Sequence, residues 1–228
     1  YEIAQFRREE NYDGRRPGKV EPARSLEEDL KRRDFTINGM ALDREGELID
    51  PVGGREDLKN RKIKAIGDPD KRFREDHLRG LRAIRFACYL DGKIDPPTLQ
   101  GIKKNAKSIR DISWERIRGE LFEIFETPRS ASGIKRMEET KLLDNILPEL
   151  TDNKGVPQPE KYHPEGDVFE HSIEALSVAD RLHYRPLIKL ATLLHDVGKG
   201  RARRWSKGEH MGGHEEIGSR ISKKIGER

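Results

Sequence analysis

The sequence predicts an α+β chain with a short mixed segment at its N-terminal end and helices through most of the rest. Three observations predict it. Strand-like runs separated by turn signals fill residues 1–68. From Asp70 onward, apolar residues recur at helical spacing. A loop bearing Pro157, Pro159 and Pro164 then separates two helical blocks. These set the expected boundaries: 1–68, 69–152 and 153–228.

Each element has a local cause. Turn signals at Asp13-Gly14 and Pro17-Gly18 interrupt strand-like spacing in residues 1–20, which reads as a hairpin or a loop. Ser25 and Glu28 match a capping box, so a short helix follows. The runs GELIDP and KIKAIG read as short strands around DPVGGREDL. RFREDHLRGLRAIRFACYL is the strongest helical pattern in the chain, with Leu81, Ile84 and Cys88 on its apolar stripe. Further helices are expected over 98–109, 115–127, 130–143, 167–184, 186–197 and 214–226.

Composition excludes several classes. Charged residues make up 39% of the chain against a usual share of about 25%, yet the net charge is only +4. Leu, Ile, Val and Phe together number 52 of 228 residues, above the roughly 20% that marks disordered chains. The chain therefore folds, with a surface dense in ion pairs. No run approaches the 18 or so apolar residues of a membrane helix. The single cysteine, Cys88, forbids an internal disulfide, sits on an apolar stripe and fits a cytoplasmic setting. Tyr1 opens on structured-looking sequence and Arg228 falls inside a helical pattern, so a piece of a longer protein is expected.

On a continuous helix from Asp76, Leu81, Ile84 and Cys88 fall at about 140, 80 and 120 degrees, with Arg79 and Arg82 at about 300 and 240 degrees. Asp76, Arg79 and Arg82 then share an arc opposite the apolar stripe, with Arg85 at its margin. A carboxylate beside a forked guanidinium complements an exocyclic amine next to a ring nitrogen, the edge that cytosine and adenine share. An ordinary i,i+3 surface ion pair, contributing about 0.2–0.5 kcal/mol, fits the same spacing.

Four segments in order carry a resemblance: RRDFTINGMA (32–41), DPVGGREDL (50–58), EDHLR (75–79) and ISWERIRGEL (112–121). Together they resemble the class II tRNA nucleotidyltransferases, the CCA-adding enzymes, and their relatives the bacterial poly(A) polymerases, over about residues 2–226. The resemblance implies the remnant of a nucleotidyltransferase head, a mostly helical neck and body, and a helical HD domain. It implies that Arg32, Arg33 and Asp34 contact ribose and phosphates, and that Asp76 and Arg79 read the base of CTP or ATP. Arg82 and Arg85 match neighbouring nucleotide-contacting arginines. Asp50, Gly54, Asp57 and Leu58 match a hinge motif. Gly39 departs from the alanine often found there. Asp34 and Asn38 are spaced to meet if the segment turns.

The same resemblance implies two Mg2+ ions held by upstream carboxylates in a GG…D-x-D arrangement. Nothing before Arg32 supplies that pattern, so no catalytic carboxylate is assigned, and the polypeptide alone is expected not to add nucleotides. Its partners would be tRNA, ATP and CTP, with no membrane; the oligomeric state is left open. Lys103, Lys104, Lys107 and Arg110 form a modest basic cluster.

The last block carries FEHS (169–172), LLHDVGK (193–199) and GGHEE (212–216). The order resembles the HD phosphohydrolases, which implies a divalent metal of unspecified identity on His171, His195, Asp196 and His214, with Lys199 toward a phosphate. A further downstream aspartate belongs to that pattern and has no counterpart before Arg228. His163 and His210 flank the block. His77 and His183 read as surface residues, and Trp114 and Trp205 as packing residues or loop anchors. Three functions follow: CMP and AMP transfer to a tRNA 3′ end (or its A-adding, CC-adding or poly(A) variants), metal-dependent hydrolysis of 2′,3′-cyclic or monoester phosphates, and a non-catalytic tRNA-binding half of a split enzyme.

Overall fold

The computed structural model describes residues 5–158, 161, 164–205 and 212–228. His163, His210 and the Trp205 side chain lie outside the described residues. The chain divides into two compact units, 1–113 and 114–228.

The first unit opens with the antiparallel hairpin β1 (Arg7–Tyr12) and β2 (Pro17–Pro22), whose register pairs Tyr12 with Pro17. Asp13 closes the turn by accepting from the Arg15 and Arg16 N–H groups. Helix α1 (Leu26–Lys31) starts on the expected cap, with Ser25 Oγ accepting from Glu28 N. The Glu28 carboxylate reaches back to Arg24 N rather than to Ser25 N. A single 3-10 turn, Thr36–Asn38, follows.

Strands β3 (Ala41–Leu42) and β4 (Leu48–Ile49) pair antiparallel and lead into α2 (Gly54–Lys59). Strand β5 (Lys62–Ile63) runs parallel to β6 (Lys93–Ile94), and between them lie α3 (Pro69–Glu75) and α4 (Arg79–Leu90). Helix α5 (Pro96–Asn105) packs on α3, and a 3-10 stretch over Ala106–Asp111 closes the unit. Leu30, Phe35, Ile63, Phe73, Leu81, Ile84 and Cys88 form the core, so the apolar stripe of α4 faces inward as its spacing requires.

One expectation fails here. The strongest helical pattern is not one helix: Asp76 has extended backbone (φ −144°, ψ 110°), and α4 begins only at Arg79. Asp76 is therefore not on the same helical arc as Arg79 and Arg82. The Asp76 carboxylate accepts from Leu78 N, as a short acidic side chain does when it competes with the helical ladder.

The second unit is all helical among its described residues. It comprises α6 (Trp114–Glu126), α7 (Ser130–Glu139), α8 (Leu143–Ile146), α9 (Pro148–Thr151), α10 (Val168–Arg181), α11 (Pro186–Leu194), α12 (Lys199–Trp205) and α13 (His214–Gly226). Helix α10 packs against α7 and α11, and α11 against α6. Ile124, Ile134, Met137, Leu143, Val168, Leu176 and Leu193 are fully buried between them. A buried ion pair lies in this core. Lys189 Nζ is 2.8 Å from Asp180, which also accepts from Ser130 Oγ and Ala131 N, while Lys189 donates to Thr127 O. Every charge there has partners, which is the condition for burying it. Among the described residues, no helix is long and apolar enough to cross a membrane.

Candidate nucleotide and metal sites

In the first unit, the site grows from the segment after α1. Asp34 is buried, and its backbone carbonyl accepts from Ile66 N, while Thr36 N donates to Lys64 O. This straps the segment to the residues that follow β5. The carboxylate then has four donors. Oδ1 accepts from Phe35 N and Asn38 Nδ2, each at 2.9 Å, so the expected Asp34–Asn38 approach occurs. Oδ2 takes Arg82 Nε at 2.9 Å and Nη2 at 2.8 Å. Burial opposes ionisation of Asp34, but the Arg82 charge and these hydrogen bonds outweigh it and hold the carboxyl below its usual range.

The residues DPVGGREDL hold this segment from behind. Asp50 caps α2 through Gly54 N at 2.8 Å and Arg55 N at 2.9 Å. A Cβ on Gly54 would stand 2.1 Å from Thr36 O, so only glycine lets α2 come this close. Asp57 closes the clasp by accepting from Thr36 Oγ1 at 2.8 Å, and its other oxygen meets Lys62 Nζ at 2.6 Å. The two motifs are thus one structure, joined at Thr36, a residue to which the sequence reading gave no role.

The arginines have different surroundings. Arg32 is committed to Arg7 O, Asp29 and Glu9, whereas Arg33 is exposed and reaches Asp29 at 3.4 Å. Arg79 is buried, and its guanidinium donates to Glu75 Oε2 at 2.6 Å and to Arg72 O at 3.0 Å. The Tyr12 ring lies 5.7 Å away. Burial, reinforced by the bond to Glu9 and its charge, pushes the Tyr12 phenol up to about 12. Arg82 and Arg85 flank the Phe86 ring at 5.6 and 4.7 Å.

His77, read as a surface residue, is largely covered instead, because its N–H donates to Gly14 O and seats the hairpin turn on the α3–α4 break. His183 is exposed. Glu75, which holds Arg79, lies in the EDHLR segment but has no role in the motif. Its place one turn before Arg79 was the available signal.

In the second unit, three predicted ligands converge. His171 Nε2 is 3.2 Å from His195 Nε2 and 3.7 Å from Asp196 Oδ2, and His195 Nε2 is 3.2 Å from that oxygen. All the ligand atoms lie within 4.8 Å of one another. The far nitrogen of each ring is engaged elsewhere: His171 Nδ1 with Glu165 at 2.5 Å, His195 Nδ1 with Thr192 O at 2.7 Å. Two imidazole nitrogens and a carboxylate aimed at one point suit a divalent cation, so the residues fit such an ion.

His214, at the start of α13, stands 3.9 Å from the other Asp196 oxygen. Lys199 Nζ is 2.7 Å from Asp196 and 2.9 Å from Gln158. Burial opposes ionisation of Asp196, but its bonds to His195 and Lys199 hold it well below the usual range; the bond to Asp196 raises His195. Fully buried Asn153 fixes the turn behind, donating to Asp196 O and accepting from Gly200 N.

Comparison with known proteins gives this geometry a family. Residues 1–64 match the poly A polymerase head domain, 93–154 the probable RNA and SrmB-binding site of polymerase A, and 168–228 the HD domain. The A-adding tRNA nucleotidyltransferase of Deinococcus radiodurans is 39% identical over 213 residues, which are 88% of this chain and 48% of that protein. The CCA-adding enzyme of Limosilactobacillus reuteri is 52% identical over 136 residues, 59% of this chain and 34% of its own length. The crystal structure of the Bacillus stearothermophilus CCA-adding enzyme in complex with CTP superposes with a TM-score of 0.55 at 30% identity, covering 96% of this chain and 63% of that one.

The class is therefore a poly A polymerase head segment followed by an RNA-binding segment and an HD domain. More particularly, these matched segments and relatives are those of the poly(A) polymerases and CCA-adding tRNA nucleotidyltransferases. It spans about half the length of the Deinococcus relative and a third of the Limosilactobacillus one.

Proposed function

We propose that the chain serves a CCA-adding tRNA nucleotidyltransferase, in which CMP and AMP pass from CTP and ATP to the 3′ end of tRNA. In this reading 1–68 is the end of the head, 69–152 the neck and body that meet base and tRNA, and 153–228 the HD domain. The observation that carries it is the pair of anchored arginines on α4, Arg79 against Glu75 and Arg82 against Asp34, beside a segment whose Arg33 is exposed. Arg79 and Asp76 would face the shared amine and ring-nitrogen edge of cytosine and adenine, while Arg33, Arg82 and Arg85 would meet ribose and phosphate oxygens. When bound, Mg2+ would supply activation of the tRNA 3′-hydroxyl and charge stabilisation on the departing pyrophosphate. The proposed compartment is the cytoplasm.

The test is a 3′-extension assay on tRNA lacking its CCA end, with each nucleoside triphosphate in turn. The chain alone should add nothing, and mixing it with a polypeptide bearing the Asp-x-Asp carboxylates should restore CMP and AMP addition. AMP addition alone would mean an A-adding enzyme, CMP alone a CC-adding one, and long AMP runs a poly(A) polymerase. Tight tRNA binding without addition in the mixture would leave the non-catalytic reading. Incorporation of all four nucleotides would overturn the base-reading assignment.

A second reading concerns the HD domain. The convergence of His171, His195 and Asp196 favours a divalent cation there, with His214 at its edge. Such a centre would support hydrolysis of 2′,3′-cyclic or monoester phosphates by a metal-activated water, with Lys199 toward the phosphate. Phosphodiester hydrolysis that requires added metal and disappears in His195→Ala supports it; hydrolysis that survives His195→Ala refutes it.

A further inference from the structure

We propose that Glu165 is the positioning residue of the His171–His195–Asp196 cluster, fixing the ring form of His171 that offers Nε2 to a divalent cation. The inference rests on the metal reading given above.

An imidazole has two nitrogens, and in its neutral form one carries the proton and the other the lone pair. Which is which is set by the partner of the far nitrogen. The carboxylate of Glu165 lies 2.5 Å from His171 Nδ1, and an ionised carboxylate can only accept. Nδ1 therefore carries the proton, and the lone pair belongs to Nε2. That nitrogen faces His195 Nε2 at 3.2 Å and Asp196 Oδ2 at 3.7 Å. His195 is also oriented through its far nitrogen, Nδ1 donating to Thr192 O one turn back along α11. The backbone does for His195 what a side chain does for His171. A negative partner also makes the ring a stronger donor to a cation.

Glu165 belongs to the connection between α9 and α10, yet its position is determined. Gly166 has φ +122°, a conformation closed to other residues, and turns the chain directly into the α10 cap. Asp167 then caps α10 through Glu170 N at 2.9 Å and also binds Gly155 N at 2.6 Å. Val168 N donates to Val156 O at 3.1 Å, closing the same loop at its base. These bonds hold Glu165 six residues before His171, at the Nδ1 edge of the ring, away from the nitrogen offered to the cation. Other carboxylates near the cluster have different tasks: Asp196 is itself a ligand, and Glu215 lies by His214 Nδ1 at 3.4 Å.

The experiment is a Co2+ titration of the whole chain, followed by calorimetry and by the visible absorption of the bound ion. It compares the unsubstituted protein with Glu165→Ala, Glu165→Gln and His195→Ala. Glu165→Ala should bind Co2+ about 10–100-fold more weakly, the range for loss of an outer partner. Glu165→Gln keeps an acceptor oxygen and should lose less. His195→Ala should lose binding altogether.

At pH 8 without metal, long-range 1H–15N spectra should show His171 protonated at Nδ1, shifting toward the Nε2 form in Glu165→Ala. Unchanged Co2+ affinity in Glu165→Ala, with binding lost in His195→Ala, would overturn this inference and leave the metal reading intact. Binding that ignores His195→Ala, or no binding by the unsubstituted chain, would overturn both. Thermal midpoints of the metal-free variants guard against loss of folding, and an Nε2-protonated His171 in the unsubstituted chain would refute the proposal on its own.

Discussion

Asp34 accepts two hydrogen bonds from the Arg82 guanidinium, 48 residues further along the chain, and so ties the segment after α1 to the outer face of α4. The carboxylate is buried and the guanidinium is about one-third exposed. Asp34→Asn would turn an amide N–H toward the fork and leave donors without their anion. The expected loss is about 1–3 kcal/mol of stability, the cost of unsatisfied buried polar groups. Urea midpoints for the two proteins at pH 7 check it.

The same pair has a pH signature. The folded-state value of Asp34 is lowered, so the folded chain favours the carboxylate more than the unfolded chain does. Its contribution is complete above the unfolded value of about 4 and disappears as pH falls through the lower folded value. The stability gap between the unsubstituted protein and Asp34→Asn should hold steady from pH 7 to 5 and narrow below about pH 4. A gap that widens in acid would contradict the assignment.

Gly54→Ala should destabilise the first unit by about 1–3 kcal/mol, the usual range for forcing atoms into a filled space. The added carbon would meet Thr36 O at 2.1 Å, and α2 would have to leave the 3-10 turn. The loss should be accompanied by weaker nucleotide binding, because Asn38 of the same turn donates to Asp34. Denaturation and a nucleotide titration on one preparation test both parts.

Lys189→Met should cost about 3–5 kcal/mol by stranding the Asp180 charge inside the second unit. Pairing it with Asp180→Leu should recover only part of that loss, since Ser130 Oγ and Ala131 N then lack their acceptor. Full recovery would show that these two donors contribute nothing.

Much of this was legible in the sequence because local rules decided it. The capping box at Ser25 and Glu28 and the inward stripe of Leu81, Ile84 and Cys88 both act within a turn or two. The break at Asp76 was not legible, since apolar and charged spacing runs through it unchanged and only the pull of Asp76 on Leu78 N interrupts the ladder. Motif order singled out Asp34, Arg79, Arg82 and the histidines as candidates. It could not show that Glu75 holds Arg79, that Thr36 joins two motifs or that Glu165 meets His171. Those depend on pairings across loops that leave no periodic trace.

In the proposed function, the Asp76–Arg79 region reads the edge shared by cytosine and adenine. The most direct test is an equilibrium titration of the chain with CTP, ATP, GTP and UTP. CTP and ATP should bind at least about tenfold more tightly than GTP and UTP, a difference of roughly 1.4 kcal/mol, and Arg79→Ala should erase that preference. Four indistinguishable affinities, or a preference untouched by Arg79→Ala, would contradict it.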